Sequence, residues 1–256
     1  MATIQTFSPH SLAHRAVISL RGDGILSFLH NILTCNVENL IQGGLAYGAL
    51  LSPQGKILHD VFVHPVDHAV MIDCHKETAD DLIAKLKLYR LRAKFEIMLR
   101  DDLAVVAGLG AALDPRHHSL GPRGIFARGE LHEGAAYDDV RYAIGIADSA
   151  EIGSGKLFPH EANFDLLGAV DFKKGCYIGQ EVVSRMQHRG TARNRIFPVM
   201  FKNDQPTDEI RIGDTLLGEV LGRRGRAALA LIRTDRLVEV GETPDLNITK
   251  PDWMKI

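Results

Sequence analysis

Residues 171–195 read DFKKGCYIGQEVVSRMQHRGTARNR and hold the densest potential chemistry in the chain. Cys176 follows Lys173, Lys174 and Gly175, and Tyr177, Ile178 and Gly179 come after it. A cysteine acts as nucleophile or metal ligand through its thiolate, which nearby ammonium groups and helix N-termini favour. A helix is expected to open at Gly179-Gln180-Glu181 and run to Gln187, so this pattern predicts a reactive sulfur. Glycines on both sides of Cys176 permit tight backbone and the close approach of another group. Glu181 and Arg185, four residues apart, are placed to pair along the helix. The competing reading of the same residues is a small buried hydrophobe in a strand-to-helix corner, since free cysteine is among the most buried residue types.

Other clusters carry less. His59, His64 and His68 with Asp60 share no helical face, and three or four convergent ligands are needed for a metal, so none is expected there. Arg185, His188, Arg189, Arg193 and Arg195 form one basic run, and Arg223, Arg224 and Arg226 form another. Either run could meet phosphate, but no RNA-binding motif or aromatic series accompanies them, and a solvated charged face is the better reading. There is no glycine-rich phosphate loop.

The elements that must position these residues follow from periodicity. Asp23 reads as an N-cap before Ile25, Phe28, Leu29, Ile32 and Leu33, spaced as a helix. Strands are expected over 45–51, 56–63 and 69–74, with turns at Ser52-Pro53-Gln54-Gly55 and His64-Pro65-Val66-Asp67. A helix from about Thr78 places Leu82, Leu86 and Tyr89 on one side. Strands are predicted over 95–100, 103–108, 123–128 and 142–147, with 111–121 a connection. This order suits an α+β unit, antiparallel sheet with helices on one face. From about Arg195, short apolar runs broken by Gly, Asp and Pro read as a small all-β barrel or sandwich.

Composition sets the outer bounds. The 256 residues are 45% hydrophobic and 24% charged, which excludes disordered and collagen-like chains. Thirty Lys and Arg against 32 Asp and Glu give a net charge of −2, so any nucleic-acid contact would use a local patch. No stretch nears the roughly 20 apolar residues of a membrane helix, and no membrane partner is expected. MATIQTFSPH at the N-terminus has neither a basic flank nor an apolar run, so no leader is expected. Three scattered cysteines, Cys35, Cys74 and Cys176, fit a reducing, cytoplasmic setting.

Lys174-Gly175-Cys176-Tyr177-Ile178-Gly179-Gln180-Glu181 resembles the signature of the YgfZ-type folate-binding proteins, relatives of the aminomethyltransferase of the glycine cleavage system. Residues 22–37, the hairpin turn at 50–57, the helix-to-strand passage at 86–97 and Phe158-Pro159-His160-Glu161-Ala162-Asn163 match that family in the same order. The resemblance implies three small domains in a ring: 1–44 with 100–190 carrying the Cys motif, a ferredoxin-like 45–99, and a C-terminal β-barrel over 191–256. It also implies a tetrahydrofolate ligand between domains and a role in assembling or maintaining iron–sulfur enzymes, including one that modifies tRNA. By the same likeness Cys176 is the functional residue, and Lys174, Gly175, Tyr177, Gly179, Gln180, Glu181 and Arg185 are its framework.

The chain also departs from that family. The glutamate that meets the pterin in the aminomethyltransferase relatives aligns with Ala147, leaving Asp148 next to it. The relatives' catalytic aspartate aligns near Asp80 or Asp81, in a solvated first helical turn. Tryptophans that flank folate in some members align with Arg15 and Arg141, whose guanidinium groups could pair with a glutamate tail. Arg15, Arg141 and Asp148 are therefore the candidate folate contacts. The first functional expectation is a folate-binding accessory protein for iron–sulfur enzymes or their assembly proteins. The alternatives are a tetrahydrofolate-dependent one-carbon enzyme, which the missing glutamate disfavours, and a direct tRNA-binding or tRNA-modifying protein.

Overall fold

The run Arg15-Ala-Val-Ile-Ser-Leu has no helical spacing, and its residues are buried on both sides, the mark of a strand inside a covered sheet. In the computed structural model, which describes residues 7–129, 131–190, 192–204, 207–237 and 245–256, it does form such a strand. Residues 1–6, read above for targeting signals, lie outside the described residues. The chain begins with β1 (His10–Ser11), β2 (Arg15–Gly22), α1 (Ile25–Ile32), β3 (Ala46–Leu51), β4 (Ile57–Val66) and β5 (Ala69–His75). It continues through α2 (Ala79–Arg90), β6 (Phe95–Leu99), β7 (Leu103–Leu113), β8 (Pro122–Ala127), α3 (Ala136–Ile144), α4 (Ser149–Ile152) and α5 (Gln180–Arg189). It ends with β9 (Asn194–Phe201), β10 (Glu209–Ile212), β11 (Thr215–Arg224), β12 (Ala227–Arg233) and β13 (Leu246–Ile248).

These strands make three antiparallel sheets, ordered β3-β4-β5-β2-β6, β1-β7-β8 and β10-β11-β12-β9-β13. The fold is the expected mixed, antiparallel one with a C-terminal β unit. The sheets divide the chain differently from the expected boundaries, however. β2 pairs with β5 and β6, so one sheet draws on residues to both sides of residue 45. β2 went unread because a strand buried on both faces shows no alternation.

The first sheet is covered on both faces. Ile18, Leu20, Val61, Val63 and Ile72 point toward α1 and α2, where they pack with Ile25, Leu29, Leu82 and Leu86. The other face carries a row set by register: Tyr47 opposite Phe62, Phe62 opposite Asp73, and Asp73 opposite Val17. Arg15 and Asp60 lie two residues along from Val17 and Phe62, so the pleat puts them on this face too. Asp73 is fully buried between two guanidinium groups. Arg15 Nε donates to its Oδ1 at 2.6 Å, and Arg123 Nε, from β8, donates to its Oδ2 at 2.7 Å. Arg123 and Arg116 stack over the Phe62 ring at 4.0 and 4.8 Å. Asp114 and the Tyr137 hydroxyl complete the group, joining β7, β8 and α3 to the first sheet.

Four local expectations need correction. Asp23 does not cap α1; Gly24, in the left-handed region at φ 73°, occupies that place. His64 to Val66 belong to β4, and the turn lies at Asp67-His68. β7 runs on to Leu113, into what was expected to be a connection. Residues 142–147 are not a strand: α3 covers Tyr142 and ends at Gly145, because buried Tyr137, Arg141 and Tyr142 recur at helical spacing.

The buried charges make a pH-dependent prediction. Burial alone would raise the Asp73 carboxyl, but Arg123 and Arg15 outweigh it and hold Asp73 well below the usual range. Burial pushes Asp60 up, with Arg15 opposing. Asp73→Asn should therefore cost about 3–5 kcal/mol at neutral pH, the usual penalty for stranding a buried charge. A carboxyl depressed in the folded state stabilises above its unfolded pKa of about 3.9, so this deficit should shrink as pH falls into the acid range. Asp60 has the opposite sign: its contribution is lost as pH rises, so Asp60→Asn should cost less and gain on the wild type with rising pH. Urea unfolding between acid and neutral pH measures both.

Candidate functional site

A helix leaves its last carbonyls without partners. At the end of α1 these are met from far along the chain. Lys174 Nζ donates to the carbonyl oxygens of His30, of Leu33 at 2.6 Å and of Cys35 at 2.9 Å. Its ring neighbour is Tyr177, 5.3 Å from the ammonium. Burial lowers the Lys174 ammonium, with Cys35 and Asp171 opposing. One residue before Cys35, Thr34 makes a second tie: its Oγ1 donates to the Ala169 carbonyl at 2.6 Å and accepts the Ala49 N–H at 2.8 Å. Asp171 N–H donates to the Thr34 carbonyl at 3.0 Å, and Asn36 Nδ2 donates to Asp171 Oδ2 at 3.1 Å.

The other end of the motif is fixed by close backbone approach. Gly179 caps α5 in the left-handed region at φ 79°. A Cβ there would lie 2.6 Å from the Ser52 carbonyl oxygen and 3.0 Å from Gly55 Cα. The Ser52–Gly55 turn thus packs directly on the cap, with Val182 against Gly55. Between these anchors Gly175 and Cys176 are exposed, whereas Cys35 and Cys74 are buried. Burial pushes the thiols of both Cys35 and Cys74 up to about 12. The buried-hydrophobe reading fits those two cysteines and not Cys176. The expected role of Lys174 changes, however: its ammonium is spent on the carbonyls of His30, Leu33 and Cys35 and is no free cation for the sulfur, while Lys173 is exposed.

Glu181 Oε1 accepts from Arg185 Nη2 at 2.6 Å, as the spacing required. Gln180 opens α5 and is half-buried, and the Tyr177 side chain packs into the core beside Phe164 and Val183, with its hydroxyl unpartnered. The three candidate folate contacts lie elsewhere and are committed inward. Arg15 also donates from Nη1 to Asp148 Oδ1 at 2.6 Å. Asp148 caps α4 in a reciprocal arrangement with Glu151, and Glu151 receives both Nη groups of Arg141, at 3.0 and 3.3 Å. Neither guanidinium has a face left for a glutamate tail.

A cleft of about 200 Å³ opens on the other side of Asp60, lined by His59, His75, Thr78, Ser149 and Gly153 among others. Ser149 Oγ donates to Asp60 Oδ1, and Tyr47 donates to Asp60 Oδ2 at 3.3 Å. His59 Nε2 sits 2.8 Å from Asp81 Oδ2, while its buried Nδ1 has no partner. Drug-sized ligands occupy pockets of roughly 300–1,000 Å³. At about 200 Å³ the cleft is smaller than that, and it has His59, Asp60 and Ser149 in its lining. In the sequence Asp60 stands out only beside the histidines, as the one carboxylate of the strand ILHDVFVHPV. Among the described residues, no group of His, Cys, Asp and Glu is arranged to hold a metal ion.

Comparison with known proteins agrees with this architecture. Residues 193–256 match the family model described as CAF17, C-terminal beta-barrel domain. An iron-sulfur cluster assembly factor IBA57 homolog, mitochondrial, of Pyricularia oryzae is 33% identical over 73% of this chain and 56% of its own length. The human iron-sulfur cluster assembly factor IBA57, mitochondrial, is 28% identical over 93% of this chain and 83% of its own length. The chain spans little more than half the length of the fungal relatives it matches. The crystal structure of glycine cleavage system aminomethyltransferase T from Bartonella henselae superposes with a TM-score of 0.73 at 15% identity, covering 96% of this chain and 86% of that one. Residues 193–256 thus carry a CAF17-type C-terminal barrel, the chain has the fold of the aminomethyltransferase, and its sequence is similar to those of iron–sulfur cluster assembly factors.

Proposed function

We propose that this protein serves the assembly or maintenance of iron–sulfur clusters and works through the thiol of Cys176. The observation that carries the reading is the contrast among its cysteines: two are packed into cores, and the one in the shared motif stands exposed between two fixed anchors. An exposed sulfur on a held loop can reach a partner's cluster or thiol, which a buried one cannot. The names of the relatives support the same direction. The partners in this reading are iron–sulfur proteins or their assembly factors, and the compartment is a reducing one, with the cytoplasm as the expectation.

Tetrahydrofolate belongs to the proposal as a second, separable element. The cleft beside Asp60 is its place, with His59, Asp60 and Ser149 toward the ring. Bound there, it would supply a carrier of one-carbon units. Asp60, with its raised carboxyl, would hold or release a proton at Oδ1 or Oδ2.

A thiol-reactive probe under native conditions should label one site, Cys176, and label Cys35 and Cys74 only after unfolding; protection of Cys176 would overturn the reading. In a strain lacking its own family member, the wild-type chain should restore iron–sulfur enzyme activity, while Cys176→Ala should fold and fail to do so. Full rescue by the alanine variant sinks the thiol mechanism. Calorimetric titration with tetrahydrofolate should give binding that Asp60→Ala loses; no heat with the wild type removes folate and leaves the thiol reading standing.

A further inference from the structure

The end of α2 has a composition its packing does not need. From Leu82 to Phe95 the chain reads LIAKLKLYRLRAKF, with Lys85, Lys87, Arg90, Arg92 and Lys94 and no acidic residue. Leu82 and Leu86 face the core. Leu88, six positions from Leu82, points about 240° around the helix from it, on the outward side. It is 68% exposed, and Leu91, the residue after the helix, is 86% exposed. Leu91 also sits at φ 51°, a region a leucine seldom adopts, so the chain spends strain on presenting that side chain outward.

The cations divide into two sets. Lys85 pairs with Asp81 at 3.4 Å, and Arg90 donates to the Phe95 carbonyl at 2.6 Å. Lys87, Arg92 and Lys94 are exposed, and their side chains make no ion pair or hydrogen bond with any described residue. Glu96, the next acid along the chain, lies opposite Arg21 in the β2–β6 ladder. The tip therefore presents two leucines ringed by three unneutralised cations. Leucines on a convex tip have no groove to fill, but they can enter the boundary between lipid headgroups and acyl chains. Cations beside them are attracted to an anionic leaflet within about a Debye length.

We propose that the tip formed by Lys87, Leu88, Leu91, Arg92 and Lys94 docks the protein on an anionic phospholipid surface. This contact is peripheral: among the described residues, no helix is long and apolar enough to cross a membrane. It is independent of Cys176, which lies in a different part of the chain.

Sedimentation with vesicles tests it, using phosphatidylcholine alone and phosphatidylcholine with a third replaced by phosphatidylglycerol. The full chain should pellet with the anionic vesicles and stay soluble with the neutral ones, and high salt should release it. Arg92→Gln with Lys94→Gln should lower partitioning about tenfold or more, given the size of each cation's contribution at an anionic surface. Leu88→Ser with Leu91→Gly should lower it too, and the change at 91 also relieves the backbone, so loss of folding is not the explanation. Continued protection of Cys35 and Cys74 from labelling in both variants reports that the fold is intact. Equal pelleting with neutral vesicles, no pelleting with either, or binding unchanged by both variants overturns the proposal. Competition by a soluble acidic protein at equal charge concentration, with no preference for lipid, would overturn it as well.

Discussion

The structure is organised around one buried carboxylate. Asp73, in the middle of β5, lies at the junction of the first sheet with the β1-β7-β8 sheet, gripped by Arg15 from one side and Arg123 from the other. Removing a charge from water is costly, and only close, fully hydrogen-bonded partners offset it. That requirement fixes geometry. Each guanidinium must reach Asp73 with its Nε, which sets how far β8 stands from β2 and where the Phe62 ring lies beneath them. The same Arg15 reaches Asp148, so the start of α4, and with it the wall of the cleft, is tied to the same centre.

The Cys motif hangs from a second set of ties that shares one logic with the first: groups orphaned by one element are satisfied by another far away in the chain. The carbonyls at the end of α1 find the Lys174 ammonium, and the Thr34 hydroxyl bridges Ala49 and Ala169. Segments near residues 34, 50 and 174 thereby meet at one place. Cys176 is the exception, exposed where its neighbours are pinned.

Much of this was legible from the sequence. The helix face of α2, the strands β3, β5 and β12 and the pairing of Glu181 with Arg185 all follow from short-range spacing, which periodicity reads well. What escaped it was long-range. β2 has no alternation because both its faces are covered, and the end of α3 falls within 142–147, expected as a strand, because the buried Arg141 before it reads as a surface residue until Glu151 is placed against it. Lys174 looked like an activating cation because sequence shows its neighbour in the chain and not its three acceptors 139–144 residues away. Arg15 and Arg141 looked free for the same reason. A charge's role is set by its partner, and these partners lie on other elements.

β1 and β2 are separated by three residues yet belong to different sheets, and the whole sheet of β2 to β6 is inserted between β1 and its partner β7. The chain thus completes one layer before it returns to the layer it began. The inserted sheet cannot be cut out and expected to stand alone, because Arg15 and Asp73 would lose Asp148 and Arg123, which the discarded part supplies. Protein engineers who want a smaller version of this molecule would have to rewire its connections, not shorten it.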